Sequence, residues 1–266
     1  MTPIRKLIFL FLFLTILISH ESFAQRKDYA LQEKGFANLY SKLLSYIQVD
    51  EDSTFLYSEK FSKDFKNFIK SNRTTLDYPF KKLIDSNYCQ ISTSSDGSFR
   101  IYSWDTWTGG SMHEFNEIYQ WRGNGDVFTK VATHSKDDPG SFCSKIFTVS
   151  INGKTNYLAV TNAIYSTKDA RQSISVYSVE NNKLIDTVKL FKTKTKRLNK
   201  IDVGFDFFSV VDRPERPLKL ITYDDKQKII YVPVVGDKGQ VTPRNILYQL
   251  KDKYFEFIGI ETGTRK

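Results

Sequence analysis

The chain has 266 residues, 40% of them hydrophobic and 26% charged, enough for one large β domain or two small ones. Its formal net charge is +9, yet no nucleic-acid-binding motif accompanies the basic excess. Its two cysteines lack the spacing of a metal site.

The first segment, 1–24, reads as a secretory signal. Arg5 and Lys6 form a basic start, "LIFLFLFLTILI" at 7–18 is an apolar run, and "SFA" at 22–24 supplies the small residues of a cleavage site. The run is shorter than the roughly 20 residues that span a bilayer, and no other stretch is long and apolar enough to be a membrane helix. Removal of the leader takes away Arg5, Lys6 and Glu21 and leaves a net charge of +8. The expected location is therefore the periplasm or the medium. An uncleaved anchor is the alternative.

Segment 25–86 is predicted to be helical. Leu31, Phe36, Leu39, Tyr40, Leu43, Leu44 and Ile47 fall at intervals of three and four, which places them on one face. Asp52 or Ser53 is expected to cap a second helix with the stripe Phe61, Phe65, Phe68 and Ile69, and Pro79 stands near the start of a short third one. Such stripes need a partner, and the rest of the chain is the obvious one.

From 87 to 262 the period changes to alternation. Strands are predicted at 98–104, 116–121 and 127–133, then as hairpins 145–151 with 154–160, 173–179 with 183–190, 218–223 with 228–235, and 245–250 with 253–259. Asn152-Gly153 is a strong hairpin turn. "NAIYSTKDARQ" at 162–172 reads as a polar loop between strands. "FRIYSWD", "YLAVTNA" and "LKLITYD" begin at 99, 157 and 218 and suggest three repeated antiparallel units. The expected fold is mainly β, an antiparallel meander of hairpins with an N-terminal helical cap. It is either a partial, propeller-like array or a large sheet or barrel. Phe99, Ile101, Leu158 and Ile221 should lie in its dry interior.

"KLFKTKTKRLNK" at 189–200 concentrates positive charge. It reads as a lysine-guarded sheet edge or as a surface for an anionic polymer. Cys89 and Cys143 are either a disulfide, contributing roughly 3–4 kcal/mol, or two buried free thiols.

The stretch "SSDGSFRIYSWDTWTGG" at 94–110 carries the candidate binding surface. Trp104 and Trp107 flank Asp105, with His113 just beyond, and such aromatics stack on a sugar or an aromatic ligand, or simply fill the core. The Ser-Asp-Gly order resembles the Asp-box turn of sialidase-type propellers but lacks the residue between Asp96 and Gly97. A hydrolase would use a histidine–aspartate pair with Ser111, and a metal site would use His113 and His134 with a carboxylate such as Asp105, Asp137 or Asp138. Paired carboxylates of glycosidase type, recognised only by their distance in space, stay open. None of the standard hydrolase, zinc-protease or phosphate-loop motifs is present, so neither a catalytic residue, a metal nor a cofactor is assigned. The leader, "FLYSEKFSKDFKNFI" and "TSSDGSFRIYSWDTWTGGSM" resemble exported β-rich proteins of Bacteroidota type. That resemblance implies an envelope location and no established activity. The expected function is non-catalytic binding of a protein or glycan partner in the cell envelope. The alternative is a hydrolase of glycans or envelope polymers.

Overall fold

Apolar spacing in the first described segment does build helices. The computed structural model describes residues 28–262, so the signal-peptide reading lies outside the described residues. Helix α1 runs through 28–46. Its buried face is Tyr29, Glu33, Phe36, Ala37, Tyr40 and Leu43, while Leu31 is exposed. The stripe is thus rotated from the expected one by a buried acid. Glu33 is held there because it accepts hydrogen bonds from Tyr78 Oη at 2.7 Å and Leu83 N–H at 3.0 Å. Helix α2 (Glu51–Ser71) starts earlier than expected, capped by Asp50, whose side chain accepts from Ser53 N–H. Phe61, Phe65 and Ile69 are its buried stripe. A 3-10 turn (Arg73–Leu76) and α3 (Lys81–Asp85) complete the helical layer.

That layer covers one face of a four-stranded antiparallel sheet, β1 (Gln90–Thr93), β2 (Phe99–Asp105), β3 (Phe115–Gly123) and β4 (Asp126–Val131), in the order β1-β2-β3-β4. Alternation along β2 puts Tyr102 and Trp104 against the helices and Phe99 and Ile101 on the opposite face. Both faces of β2 are therefore buried. Arg100 pins the first joint, donating to the carbonyls of Thr75 and Tyr78 at 2.9 and 2.6 Å.

The second sheet has the order β11-β7-β6-β5, with β8 paired to β7. It comprises β5 (Phe142–Ile151), β6 (Lys154–Ile164), β7 (Asp169–Glu180), β8 (Lys183–Ile185) and β11 (Lys200–Asp206). Asn152 and Gly153 both take positive φ, 51° and 75°, as a two-residue hairpin of the primed type requires. The expected polar loop at 162–172 is corrected to four residues, because β6 continues to Ile164 and β7 begins at Asp169.

The third sheet has the order β10-β9-β15-β14-β13-β12. Its members are β9 (Phe191–Lys192), β10 (Arg197–Leu198), β12 (Thr222–Asp224), β13 (Ile229–Val235), β14 (Val241–Lys251) and β15 (Tyr254–Thr262), and β9 pairs parallel to β15. Phe99 and Ile101 belong to a buried cluster with Tyr157 and Ala159 of the second sheet. Leu158 and Val160 belong to another, with Ile221, Ile230 and Phe255 of the third. The layers therefore stack as helices, first sheet, second sheet, third sheet. Phe99, Ile101, Leu158 and Ile221 are all buried, as expected. No buried cluster among the described residues joins the first sheet to the third, so this mainly β array is propeller-like only in part.

The basic stretch 189–200 supplies β9 and the edge strand β10. Lys192 pairs with Glu256 at 2.8 Å, and Arg197 lies over the Tyr254 ring at 4.5 Å. Positive side chains on a short edge strand discourage pairing with another chain.

Candidate functional site

The sequence places a short loop between β2 and β3, and its polar residues brace it. Asp105 ends β2, and its Oδ1 accepts the Trp107 N–H at 2.8 Å while Trp107 takes φ 58°. Thr106 N–H donates to the Glu114 carbonyl at 2.8 Å, and Thr108 Oγ1 donates to Glu114 Oε2 at 2.9 Å. Helices hold the loop from one side: Ser58 Oγ donates to the Thr106 carbonyl at 2.6 Å and Tyr40 Oη to the Asp105 carbonyl at 2.8 Å. The second sheet holds it from the other, because His113 N–H donates to the Ile164 carbonyl at 3.1 Å.

Within this clamp Asp105 Oδ2 lies 2.5 Å from His113 Nδ1. The hydrogen bond to Asp105 raises the imidazole above its ordinary value of 6.5, against the opposing effect of burial. The Trp107 ring meets His113 edge-on at 5.4 Å, and its Nε1 donates to Tyr40 Oη at 3.1 Å. Beyond them opens a cleft of about 890 Å³ whose apolar walls include Ile47, Val49, Phe55, Trp107, Ile164 and Phe207.

Three of the four residues expected on a binding surface are thus together: Asp105, Trp107 and His113. The fourth is corrected. Trp104 is wholly buried, donates its Nε1–H to Ser62 Oγ at 3.0 Å, and packs edge-on against Phe61 and Phe65 at 5.8 and 5.4 Å. Alternation along β2 sends it to the helical face, away from the loop. Among the described residues no hydrogen bond joins His113 to Ser111.

His134 stands in a second cleft, of about 530 Å³, between the first and second sheets. Its Nε2 is 3.6 Å from Glu117 Oε2 and its Nδ1 is 3.5 Å from Asp138 Oδ2. The two histidines therefore serve different clefts. Among the described residues no group of three or more His, Cys, Asp or Glu has the arrangement to hold a metal ion. Glu117 is 4% exposed. Burial pushes its carboxyl up from 4.5, partly opposed by the Ser141 hydroxyl, which donates to Oε1 at 2.8 Å, and by His134. Sequence reasoning passed over Glu117. The signal was its phase: it alternates with Phe115, Tyr119 and Trp121, so it faces inward where an apolar residue is the rule.

The cysteines are separate free thiols, both buried. Cys89 belongs to the cluster between helices and first sheet, Cys143 to the cluster between first and second sheets. The disulfide alternative is therefore not realised. Desolvation raises both thiols, Cys143 to about 12, which suppresses the reactive thiolate.

In front of the Asp96 carboxylate, Ser94 Oγ and Ser98 N–H donate at 2.6 and 3.0 Å, and Tyr157 Oη donates to it from the second sheet at 3.0 Å. The Ser-Asp-Gly turn is thus structural.

No protein-family model matches the chain, and no curated protein matches it.

Proposed function

We propose that this chain is a non-catalytic binding protein of the cell envelope, and that the cleft beside Trp107 receives an apolar side chain of a protein partner. One observation carries the reading: large apolar side chains stay in water along that cleft. Val49 is 77%, Phe55 49% and Trp107 37% exposed. Apolar surface gathered at a concave site marks an interaction surface rather than chance exposure. Polar groups line the cleft as well, at the start of α2 (Asp50, Glu51, Thr54), in the β2–β3 loop (Thr108, Ser111, His113) and in the β6–β7 loop (Ser166, Thr167). The exposed aliphatic and aromatic side chains at its mouth, Val49, Phe55 and Trp107, suit an apolar anchor, so a protein partner is favoured over a glycan here. Hydrolysis at this site draws less support, because Trp104 lies in the core and, among the described residues, no hydrogen bond joins His113 to Ser111. An exported location belongs to the same proposal and rests on the pattern at 5–24.

The test is selection of displayed peptides on the chain lacking residues 1–24, followed by affinity measurement against Phe55→Ala and Trp107→Ala. The expected peptides share an aliphatic or aromatic anchor and bind either variant about tenfold more weakly, the equivalent of ~1.4 kcal/mol. Peptides that ignore both substitutions would overturn the reading.

A further inference from the structure

The space between the first and second sheets is built from the same strands throughout, yet its two halves differ in chemistry. One half is filled by Phe99, Ile101, Tyr157 and Ala159. Further along, the same inward faces carry Glu117 on β3, Thr161 on β6, and Ser173 and Ser175 on β7, all lining the 530 Å³ cleft. Strict alternation assigns 171, 173, 175 and 177 of β7 to that face. Polar groups on an inward sheet face carry a desolvation cost unless something satisfies them. Glu117 finds the Ser141 hydroxyl at 2.8 Å and the Tyr119 hydroxyl at 3.3 Å, with the His134 ring only at 3.6 Å. Packing alone would favour apolar residues there. Retention of a carboxylate beside a cavity of ligand size, in the usual range of about 300–1,000 Å³, points to a polar occupant.

We propose that this cleft binds an acidic saccharide, a polyhydroxyl ring bearing a single carboxylate. This goes beyond the protein-binding reading of the Trp107 cleft and does not depend on it. The ring hydroxyls meet acceptors and hydroxyls at Glu117, Asp186 and Ser175, and Tyr119 and Tyr177, whose rings pack on Phe99 and on each other, complete the lining. The ligand carboxylate meets Arg171. The other rim cations are engaged with acids: Lys130 lies 3.7 Å from Asp186 and Lys200 lies 3.0 Å from Asp202. Arg171 makes no ion pair among the described residues; its guanidinium lies 5.1 Å from the Tyr165 ring centre, and a planar guanidinium matches a carboxylate fork. Glu117, Asp138 and Asp186 line the same cleft and oppose a doubly charged phosphate group placed beside them more than a singly charged carboxylate, which favours this ligand class over a nucleotide. An apolar ligand would desolvate Arg171 and the Ser175 hydroxyl and supply neither with a partner.

Titration calorimetry on the chain lacking residues 1–24 tests the proposal, with trigalacturonate and a hyaluronan tetrasaccharide as acidic probes and maltotriose as the neutral one. At least one acidic probe should bind saturably, and maltotriose about tenfold or more weakly. Arg171→Gln should lose about tenfold in affinity for the acidic probe, and Glu117→Gln should lose affinity without losing melting temperature. In the unsubstituted chain, the acidic probe should shift amide signals of Tyr119, Arg171 and Ser175 and leave the Trp107 indole signal in place. That measurement stands even where a variant folds poorly. The proposal is overturned if neither acidic probe binds, if maltotriose binds equally well, or if the shifted signals lie outside this cleft. The Trp107 peptide assay reads out independently, so failure of one proposal leaves the other standing.

Discussion

Each cleft sets one histidine beside acid, His113 against Asp105 and His134 between Glu117 and Asp138, and they do so in opposite ways. At the apolar cleft Asp105 and His113 are in direct contact at 2.5 Å and both side chains keep some solvent, 12% and 28% exposed. There the hydrogen bond dominates and the imidazole is the group displaced, upward. In the polar cleft Glu117 and His134 stand 3.6 Å apart, and the carboxylate keeps only 4% of its exposure. There desolvation dominates and the acid is the group displaced, upward. Geometry decides the first site and burial the second, so substitutions should separate them.

The largest expected effect probes what lies behind the apolar cleft. Trp104→Ala should cost about 3–5 kcal/mol, as a large side chain removed from a packed core does. Trp107→Ala, three residues on at the cleft wall, should cost about 1 kcal/mol or less, like most substitutions of partly exposed residues. Urea unfolding midpoints measure both. Equal losses would mean that the Trp107 wall is core rather than binding surface.

Next comes the floor of the polar cleft. Gly140 takes φ 72°, and a Cβ there would lie 2.4 Å from the Phe115 carbonyl oxygen and 3.1 Å from His134 Nε2. Gly140→Ala combines a left-handed backbone cost with overpacking against backbone, about 2–4 kcal/mol together. It should disturb the His134 ring resonances while leaving those of His113 unchanged. Movement of both histidines would show that the clefts are one coupled unit.

A smaller effect belongs to the Asp105–His113 pair. Because the folded imidazole is raised above 6.5, its stabilisation is fully present below that value and is lost as pH rises through the folded value. Asp105→Asn should therefore lower stability by about 1–2 kcal/mol at pH 5, in line with a charge-assisted hydrogen bond that is partly solvated. Its effect at pH 9 should be smaller. A loss independent of pH would assign Asp105 a purely structural part in the loop.

Sequence periodicity located the long hairpins because each has one apolar phase and turn residues at its tip. It also located Trp107, Asp105 and His113 as neighbours, since nine residues of one loop hold all three. It did not reveal β1, β9, β10 or β11. These are short or polar strands, three of them at sheet edges; β9 and β11 also have distant partners, Phe191 opposite Phe255 and Val203 opposite Gln172, whereas β1 and β10 pair nearby but are only four and two residues long. Nor did it reveal the polar cleft. That site draws on β3, β4, β6, β7, β8 and β11 at once, and only β7, with Arg171, Ser173 and Ser175, carries a run of polar residues on the inward face. Trp104 misled for a simpler reason: proximity in sequence to Trp107 says nothing about face, whereas its alternation with Arg100 and Tyr102 already pointed it to the helices.

The smallest predicted effect has the opposite sign and bears most directly on the contrast between the clefts. Glu117 holds its proton more tightly when folded than when unfolded, since burial raises it above 4.5. Between its unfolded and folded values the native state binds more protons, so stability falls as pH rises across that window. Glu117→Gln removes the ionisable group while keeping the amide able to accept from the Ser141 hydroxyl. At pH 7 the variant should be more stable by about 1 kcal/mol, which is ~2–4 °C in Tm for a chain of this size. At pH 4, where the native carboxyl already carries its proton, the gain should vanish. Calorimetric melting at the two pH values measures it. A residue kept for stability would show a loss on replacement; a gain at pH 7 paired with weaker binding of acidic oligosaccharide would mean that the buried acid is retained for the ligand. A loss at both pH values would instead place Glu117 with Asp105, as a brace whose partners outweigh its burial, and the distinction between the two clefts would fail.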